Sequence, residues 1–345
     1  MMTVLRSYRR EGYAFPMALA AIVIITLVVG VAASQVERAI AAYSQQTDLF
    51  AKQVAARSAE STFLYHALTS PMGNLGVEIG GVSAIDRMFD TGSASPSDTV
   101  LLRANAQPRL FDDTIVLRYI DQQAFFSASM LGISGRDDDM TSLGISPVRH
   151  ASLGAALRDF QDEDVIRTPG GAETSAYDDP RLPPNRPLID PVELCEVSGW
   201  TQEDICSDVG QLLLLTMVRG SGQLNPRLAS PFLLERLTGS WSDARRAVAG
   251  YEDGTYTQFA DAGRPEYDNV SDIFEVPGGA TGRFALVAHD RSAQVAWISV
   301  YELTPRNVLA PFSLAYRYRI GGQYVRDALG TSLDEPIEPL PDPGQ

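Results

Sequence analysis

The sequence predicts an α+β fold, in which one long N-terminal helix is followed by an antiparallel sheet that a helical segment interrupts. An uncharged apolar run at 13–33 continues as an apolar stripe, with spacings of three, four and seven, as far as residue 70. Runs rich in β-branched and aromatic residues occur near residue 115 and again after residue 283. Between them lie helical patterns broken by Gly and Pro.

The apolar run from Tyr13 to Ala33 contains no charged side chain. About twenty residues suffice for a helix to cross a hydrocarbon core ~30 Å thick. Three arginines in the first ten residues precede the run, which favours a cytoplasmic N-terminus. The sequence therefore predicts a single-pass topology with everything after Ser34 on the far side of the membrane.

Three interpretations of this run stay open. It could be a cleaved secretory signal ending at 31–33, where Val-Ala-Ala resembles a small-residue cleavage site, or an uncleaved signal anchor. It could also be a prepilin-type helix behind a leader cut between Gly12 and Tyr13. Such helices usually carry Glu at the fifth mature position, and this chain has Met17 there.

The predicted layout divides the chain into seven parts. The segment 71–112 reads mainly as loop with a short strand near residue 100, and Asp290-Arg291-Ser292 joins two later strands as a hairpin. The parts are a leader at 1–12, a transmembrane half-helix at 13–33, an amphipathic half-helix at 34–70, a first sheet segment at 71–121, an inserted helical domain at 122–270, a second sheet segment at 271–325 and a disordered tail at 326–345.

Composition limits the classes of partner. The formal net charge is −15, and removal of residues 1–12 would make it −17. Residues 121–270 contain 24 Asp and Glu against 12 Arg and no Lys. Such a field opposes nucleic acid and favours cationic partners or metal ions. The apolar fraction of 45% is typical of a protein with a real core.

An acidic segment after a predicted helix is a candidate cation site. Asp162, Asp164 and Glu173 occupy relative positions one, three and twelve, the spacing of acidic oxygens in an EF-hand loop, and Asp159 precedes them. The motif is incomplete, because Ile166 and Arg167 stand where such a loop would place an oxygen ligand and a Gly. Two readings remain: a hard-cation site, or a solvated acidic loop.

The two cysteines flank a predicted helix–hairpin–helix unit. Cys195 and Cys206 lie on either side of Val197-Ser-Gly199-Trp200, and in an exported domain we expect them to be bridged. Units of this kind often bind nucleic-acid phosphates. The local acidic excess argues against that here, so we expect the hairpin to be a packing module.

No enzyme class has a motif in this chain. The three histidines stand in unrelated contexts, with no HExxH, no GxSxG and no Cys/His metal spacing. We therefore predict no enzymatic activity and no catalytic residues. Two alternatives stay open: an exported hydrolase that uses carboxylates, and a membrane-tethered binding protein with a helix–hairpin–helix module.

Together these motifs resemble the K-type minor pseudopilins of type II secretion systems. The likeness rests on the leader ending in Gly12, the anchor without the usual Glu, the acidic residues Asp159, Asp162 and Asp164, Gly171-Ala-Glu173 with Tyr177, Asn185-Arg-Pro-Leu188, and Glu193-Leu194 leading to Gly199. The resemblance implies a pilin-like fold, a long N-terminal helix packed on a small antiparallel sheet. It also implies a large inserted all-helical domain of two SAM-like, helix–hairpin–helix units.

The resemblance also implies a function. A K-type subunit starts and caps the periplasmic pseudopilus, together with I-type and J-type minor pseudopilins, on a filament of the major pseudopilin. Prepilin peptidase would process it at Gly12 and Tyr13. The family is associated with calcium in the inserted domain, so the resemblance favours Ca²⁺ bound by Asp159, Asp162, Asp164 and Glu173.

Overall fold

The structure is a computed structural model of the chain. It describes residues 14–80, 99–112, 114–132, 137–218, 224–263, 280–292, 294–304, 307, 309–322, 325 and 337–342. The chain divides into two units, Met1–Val54 and Ala55–Gln345. The expected leader, with its cleavage point between Gly12 and Tyr13, lies outside the described residues.

Helix α1 runs without a break over Ala14–Thr69. The one long helix expected from the sequence therefore extends to within a residue of its predicted end. Pro71 follows, and Pro cannot continue a helix. Among the described helices, α1 alone is long and apolar enough to cross a membrane, a property that signal sequences share. It is compatible with a single-pass inner-membrane anchor.

Ten strands and six further α-helices follow among the described residues. The strands are β1 (Met72–Gly73), β2 (Gly76–Ile79), β3 (Val100–Arg103), β4 (Asn105–Phe111), β5 (Ile115–Asp121), β6 (Phe126–Ser127), β7 (Thr216–Met217), β8 (Arg283–Asp290), β9 (Val295–Leu303) and β10 (Phe312–Gly321). The helices are α2 (Asp137–Ser142), α3 (Pro147–Gln161), α4 (Asp204–Ser207), α5 (Val209–Leu215), α6 (Pro231–Thr238) and α7 (Trp241–Glu252). Six 3-10 helices cover Gln122–Ala124, Ala128–Met130, Thr174–Ala176, Pro191–Glu196, Trp200–Gln202 and Phe259–Ala262.

The main sheet has five antiparallel strands in the order β10-β9-β8-β5-β4. The strands β4 and β5 come from before the inserted segment and the other three from after it. The hairpin predicted around Asp290-Arg291-Ser292 joins β8 to β9, with His289 opposite Ala296. The predicted mixture of a long helix with antiparallel strands is thus confirmed.

Both faces of the central strands β5, β8 and β9 are buried, each by a different hydrophobic core. One face of β5 places Ile115, Leu117 and Tyr119 against Phe63 of α1. Ile120 belongs to the second core, which the sheet shares with residues 122–270. The strands β8 and β9 alternate between the two cores in the same way.

Three details of the fold differ from the prediction. Of the segment 71–112, which was expected to be mainly loop, the described residues 71–80 and 99–112 are mostly strand, since they hold β1 to β4, and β1-β2-β3 form a separate three-stranded sheet. The strand β4 escaped the prediction because Pro108 interrupts its pattern and a register shift lies between Asn105 and Pro108. The inserted segment is not all-helical, because β6 and β7 pair in parallel within it.

The predicted disordered tail is wrong for residues 337–342. The backbone of Leu110 in β4 donates to Glu338 O (2.9 Å) and accepts from Leu340 N (2.7 Å). Leu340 is buried in the core beneath α1, and the Nε2 atom of His66 lies 2.8 Å from Pro341 O. This segment, which we call the C-terminal strap, covers the outer edge of β4. Its apolar Leu340 outweighs the acidic, Pro-rich composition on which the prediction of disorder rested.

Candidate functional site

Helix α3 positions the acidic site. Pro147 stands in its first turn, where the missing N–H costs nothing, and Asp162 is its C-cap. Asp159, in the last turn, is fully buried. Because the helix ends at Gln161, the acidic residues that follow lie on a loop that returns toward the last turn of α3.

Three of the four predicted ligands come together. One carboxylate oxygen each from Asp162, Asp164 and Glu173 lies within 4.8 Å of the other two. Asp159 is not part of that group. Its two oxygens accept the Thr168 N–H at 3.2 and 3.1 Å, so Asp159 holds the loop that carries the other acidic residues.

Several oxygens of this cluster are buried without a hydrogen bond. Within the described part of the chain, Asp162 Oδ1 and both carboxylate oxygens of Glu173 have no partner. Buried polar atoms are normally paired, and an unpaired one costs about 1–3 kcal/mol. Orphaned carboxylate oxygens that face one another are the donor set that a hard cation takes.

The electrostatics of the cluster agree with this geometry. Burial raises the pKa of Asp162, and the charges of Asp164 and Asp159 raise it further. Burial also raises the pKa of Glu173, with further contributions from Asp159, Asp162 and Asp164. The backbone N–H groups of Asp164 and Thr174 lower the pKa values of Asp162 and Glu173 in part, but no cationic side chain among the described residues adds to this effect. The remaining repulsion favours a proton or a cation at the cluster.

Asn185 lies beside the cluster, although its sequence context did not assign it to the site. Its Nδ2 donates to the backbone oxygen of Asp164 (2.9 Å), and its Oδ1 is buried without a partner in the described residues. Its backbone has φ +48°, the left-handed region that Asn tolerates better than most residues. The sequence analysis used Asn185-Arg-Pro-Leu188 only as part of the family resemblance, and nothing in that segment marked Asn185 as a ligand.

Gly171 allows the loop to approach α3. A Cβ atom at Gly171 would lie 2.1 Å from Asp159 Oδ2, closer than any real contact. Arg167 Nε donates to Gly171 O (2.8 Å) from the other side of the loop. The loop between Asp162 and Glu173 is therefore held by side chains of its own and of α3.

The predicted hairpin packs against the first half of α3. Gly199 has φ +84°, and Arg149 of α3 donates to its oxygen at 2.9 Å. Trp200 is fully buried, and its indole N–H donates to Leu153 O (3.1 Å). Tyr177 joins the two features, because its hydroxyl accepts the Ser198 N–H at 3.2 Å and its pKa is raised by burial and by Asp159.

The elements of the hairpin are shorter than expected. The segments on either side of Gly199 are the 3-10 helices Pro191–Glu196 and Trp200–Gln202, followed by α4. Cys195 and Cys206 form a disulfide with their Cα atoms 5.5 Å apart. A bridge that closes so short a loop contributes about 2–3 kcal/mol. The hairpin is thus a rigid support for α3.

Comparison with known proteins identifies this region. Residues 140–207 match the family model described as type II secretion system (T2SS), protein K. The match runs from α2 through α3, the acidic loop and the hairpin to α4, and so contains every candidate ligand and both cysteines. The resemblance to the K-type family is confirmed over these residues.

A solved structure gives a weaker likeness. It is the crystal structure of the GspK-GspI-GspJ complex from the enterotoxigenic Escherichia coli type 2 secretion system. The identity is 16%, the alignment covers 80% of this chain and 98% of that chain, and the TM-score is 0.45. No curated protein sequence matches the chain.

Proposed function

We propose that this chain, which matches protein K of the type II secretion system over residues 140–207, is a membrane-anchored minor pseudopilin that starts and caps the tip of the periplasmic pseudopilus. The family match over the acidic loop and the hairpin carries this proposal. The long helix α1 supports it, because a helix of 56 residues is long enough to anchor in the membrane and continue beyond it.

Two features of the sequence favour a tip position. Pseudopilins with an acidic fifth residue are thought to neutralise the N-terminal amine of the subunit ahead, and Met17 cannot do so. The inserted segment, about 150 residues long, would also be too bulky to repeat along a tightly packed filament. A subunit with no other subunit ahead of it needs neither the acidic residue nor a small globular domain. Cleavage between Gly12 and Tyr13 by prepilin peptidase belongs to the same proposal.

The partners that we propose are an I-type and a J-type minor pseudopilin, on top of the major pseudopilin filament. In the similar solved structure, GspK is in a complex with GspI and GspJ. The SAM-like character of the inserted units is also part of the resemblance and stays a proposal.

Affinity purification of the full chain tests the assignment. The tagged chain, co-expressed with the I-type and J-type proteins of its own system, should retain both at one copy each after mild detergent extraction. The matched control is a tagged chain of an unrelated single-pass protein. Retention of neither partner above that control would overturn the proposal.

We also propose that the acidic site binds Ca²⁺ through Asp162, Asp164 and Glu173, with Asn185 Oδ1 as a further oxygen. The orphaned carboxylate oxygens support this, and so do the pKa values of Asp162 and Glu173, which are raised by burial and then by the neighbouring carboxylates. Ca²⁺ accepts six to eight oxygens in flexible geometry, so backbone oxygens and water can complete an irregular set. Mg²⁺ fits less well, because it demands near-octahedral geometry. The cation would hold the acidic loop against α3.

Thermal melting of the purified chain tests the calcium site. A ligand that binds only the folded state at a hundredfold excess over its Kd stabilises it by about 2.7 kcal/mol. Addition of CaCl₂ after EDTA should therefore raise the melting temperature of the wild type by several degrees and that of Glu173→Gln by much less. Glu163→Gln is the matched control, since Glu163 is exposed beside the site. An unchanged wild-type melting temperature would show that the site is wrong.

A further inference from the structure

The two edges of the main sheet are unequal. The outer edge of β4 is covered by the C-terminal strap, whose backbone bonds with Leu110. The outer edge of β10 pairs with no strand in the described part of the chain, although β10 is ten residues long. An open edge strand of this length presents a row of unpaired backbone groups that can pair with another chain.

The register shows which backbone groups of β10 face outward. The Thr304 N–H donates to Pro311 O at 2.7 Å. Because ladder bonds alternate along a strand, the backbone N–H and C=O groups of the even-numbered residues of β9 point toward β10. Ser313 lies opposite Glu302, and after a bulge at residue 315 the register places Tyr316 and Tyr318 opposite Val300 and Ile298. The backbone groups that point away from β9 are therefore those of Phe312, Leu314, Arg317 and Arg319.

Exposed apolar side chains accompany this open edge. Phe312 and Leu314 are 37% and 45% exposed, and Leu309 in the preceding loop is 95% exposed. A cleft of about 270 Å³ adjoins the same part of β10. Apolar residues of the inserted segment and of the sheet line it, together with one ion pair; they include Leu188, Met217, Val218, Val300 and Tyr316, and the pair is Arg283 with Glu302. A pocket beside an open strand is the usual means by which strand addition selects a side chain.

The charge of β10 indicates the chemistry of the partner. The strand carries Arg317 and Arg319 and no acidic residue, in a chain of net charge −15. Arg317 is occupied by an ion pair with the buried Glu60 of α1. Arg319 is exposed and has no ion pair within the described residues. Opposite charges across neighbouring strands stabilise pairing, and like charges oppose it.

We propose that the open edge of β10 takes an added strand from a partner pseudopilin, an extended segment with an acidic side chain opposite Arg319 and an apolar side chain in the adjoining cleft. A second copy of this chain is the poorer occupant, because its own β10 would bring arginines against arginines. The proposal rests on the function proposed above, since that function supplies the partner, and it names the surface that binds.

Substitutions at Arg319 test the backbone and the charge separately. Arg319→Pro removes an outward N–H without touching the β9 ladder, and proline is tolerated at such edge positions. It should reduce retention of the I-type or J-type partner by tenfold or more in the affinity purification. Arg319→Glu should reduce it by a similar factor, whereas Arg319→Ala, the matched control that keeps the N–H, should reduce it only a few-fold. Unchanged melting temperatures would show that the variants fold.

Hydrogen exchange on the wild-type chain gives an answer that does not depend on any variant. Formation of the complex should slow exchange at the outward amides of Leu314, Arg317 and Arg319. If the wild type retains its partners, Arg319→Pro retains them equally and these amides gain no protection, the β10 proposal is overturned and the proposed function stands. If the wild type retains no partner, both fail. If the chain alone self-associates with β10 protected, the occupant is a second copy and the proposal of a partner strand is wrong.

Discussion

At the scale of single residues, the acidic cluster makes stability depend on pH. The pKa values of Asp162 and Glu173 are raised from the ordinary 3.8 and 4.5 by burial and by neighbouring carboxylates. The folded, calcium-free protein therefore binds these protons more tightly than the unfolded chain does. Its stability falls as pH rises from the ordinary values through the raised ones, and above them the penalty is fully present.

We expect the melting temperature of the protein in EDTA to fall more steeply with rising pH across this window for the wild type than for Glu173→Gln. Saturating CaCl₂ should flatten the wild-type profile, since the cation replaces the protons. Glu163→Gln should behave like the wild type. Identical pH profiles for the wild type and Glu173→Gln would show that the cluster does not control the titration.

The sequence allowed part of this site to be predicted. The spacing of Asp162, Asp164 and Glu173 was visible, because a loop of that length can return its end to its beginning. The separate role of Asp159 was not visible, since it depends on the close approach of Gly171 and the direction of the Thr168 N–H. Asn185 lies 21 residues from Asp164, and only the folded loop brings them together.

The buried carboxylate of Glu60 likewise could not be predicted from the sequence. Glu60 lies on the apolar stripe of α1 and is 2% exposed. It accepts hydrogen bonds from Ser299 Oγ and Tyr301 Oη, each at 2.8 Å, and pairs with Arg317. Its partners lie more than 230 residues away in sequence, so no local pattern indicates that this carboxylate is satisfied. Such a network fixes how the end of α1 sits on β9 and β10.

At the scale of elements, the prediction of secondary structure succeeded where one hydrophobic period, that of a helix or that of a strand, dominates the segment. The helix α1, predicted as far as residue 70, has a strong pattern, and so do the strands β5, near residue 115, and β8 to β10, after residue 283; all of them are present there. The prediction missed the strand β4, because Pro108 and the left-handed Ala106, with φ +69°, break its alternation of apolar and polar residues. The helices expected around Gly199 became 3-10 turns, because a disulfide and the buried Trp200 hold short segments that have weak helical propensity of their own.

At the scale of the whole molecule, residues 55–345 form one compact unit whose sheet has its central strands buried on both faces. The predicted boundaries at residues 122 and 270 stay a prediction. The core that residues 122–270 share with the second face of the sheet makes the inserted segment part of that unit. A sequence pattern does not reveal such sharing, because each element shows only its own apolar face.

The central claim is that the chain occupies one end of a pseudopilus, and its position on isolated filaments tests that most directly. Filaments assembled with the full set of pseudopilins of its system can be labelled with gold-conjugated antibody against residues 55–345 and viewed by electron microscopy. The proposed function predicts label at one end of each filament. Label at regular intervals along the filament would contradict it. Filaments that carry no label at either end would contradict it as well.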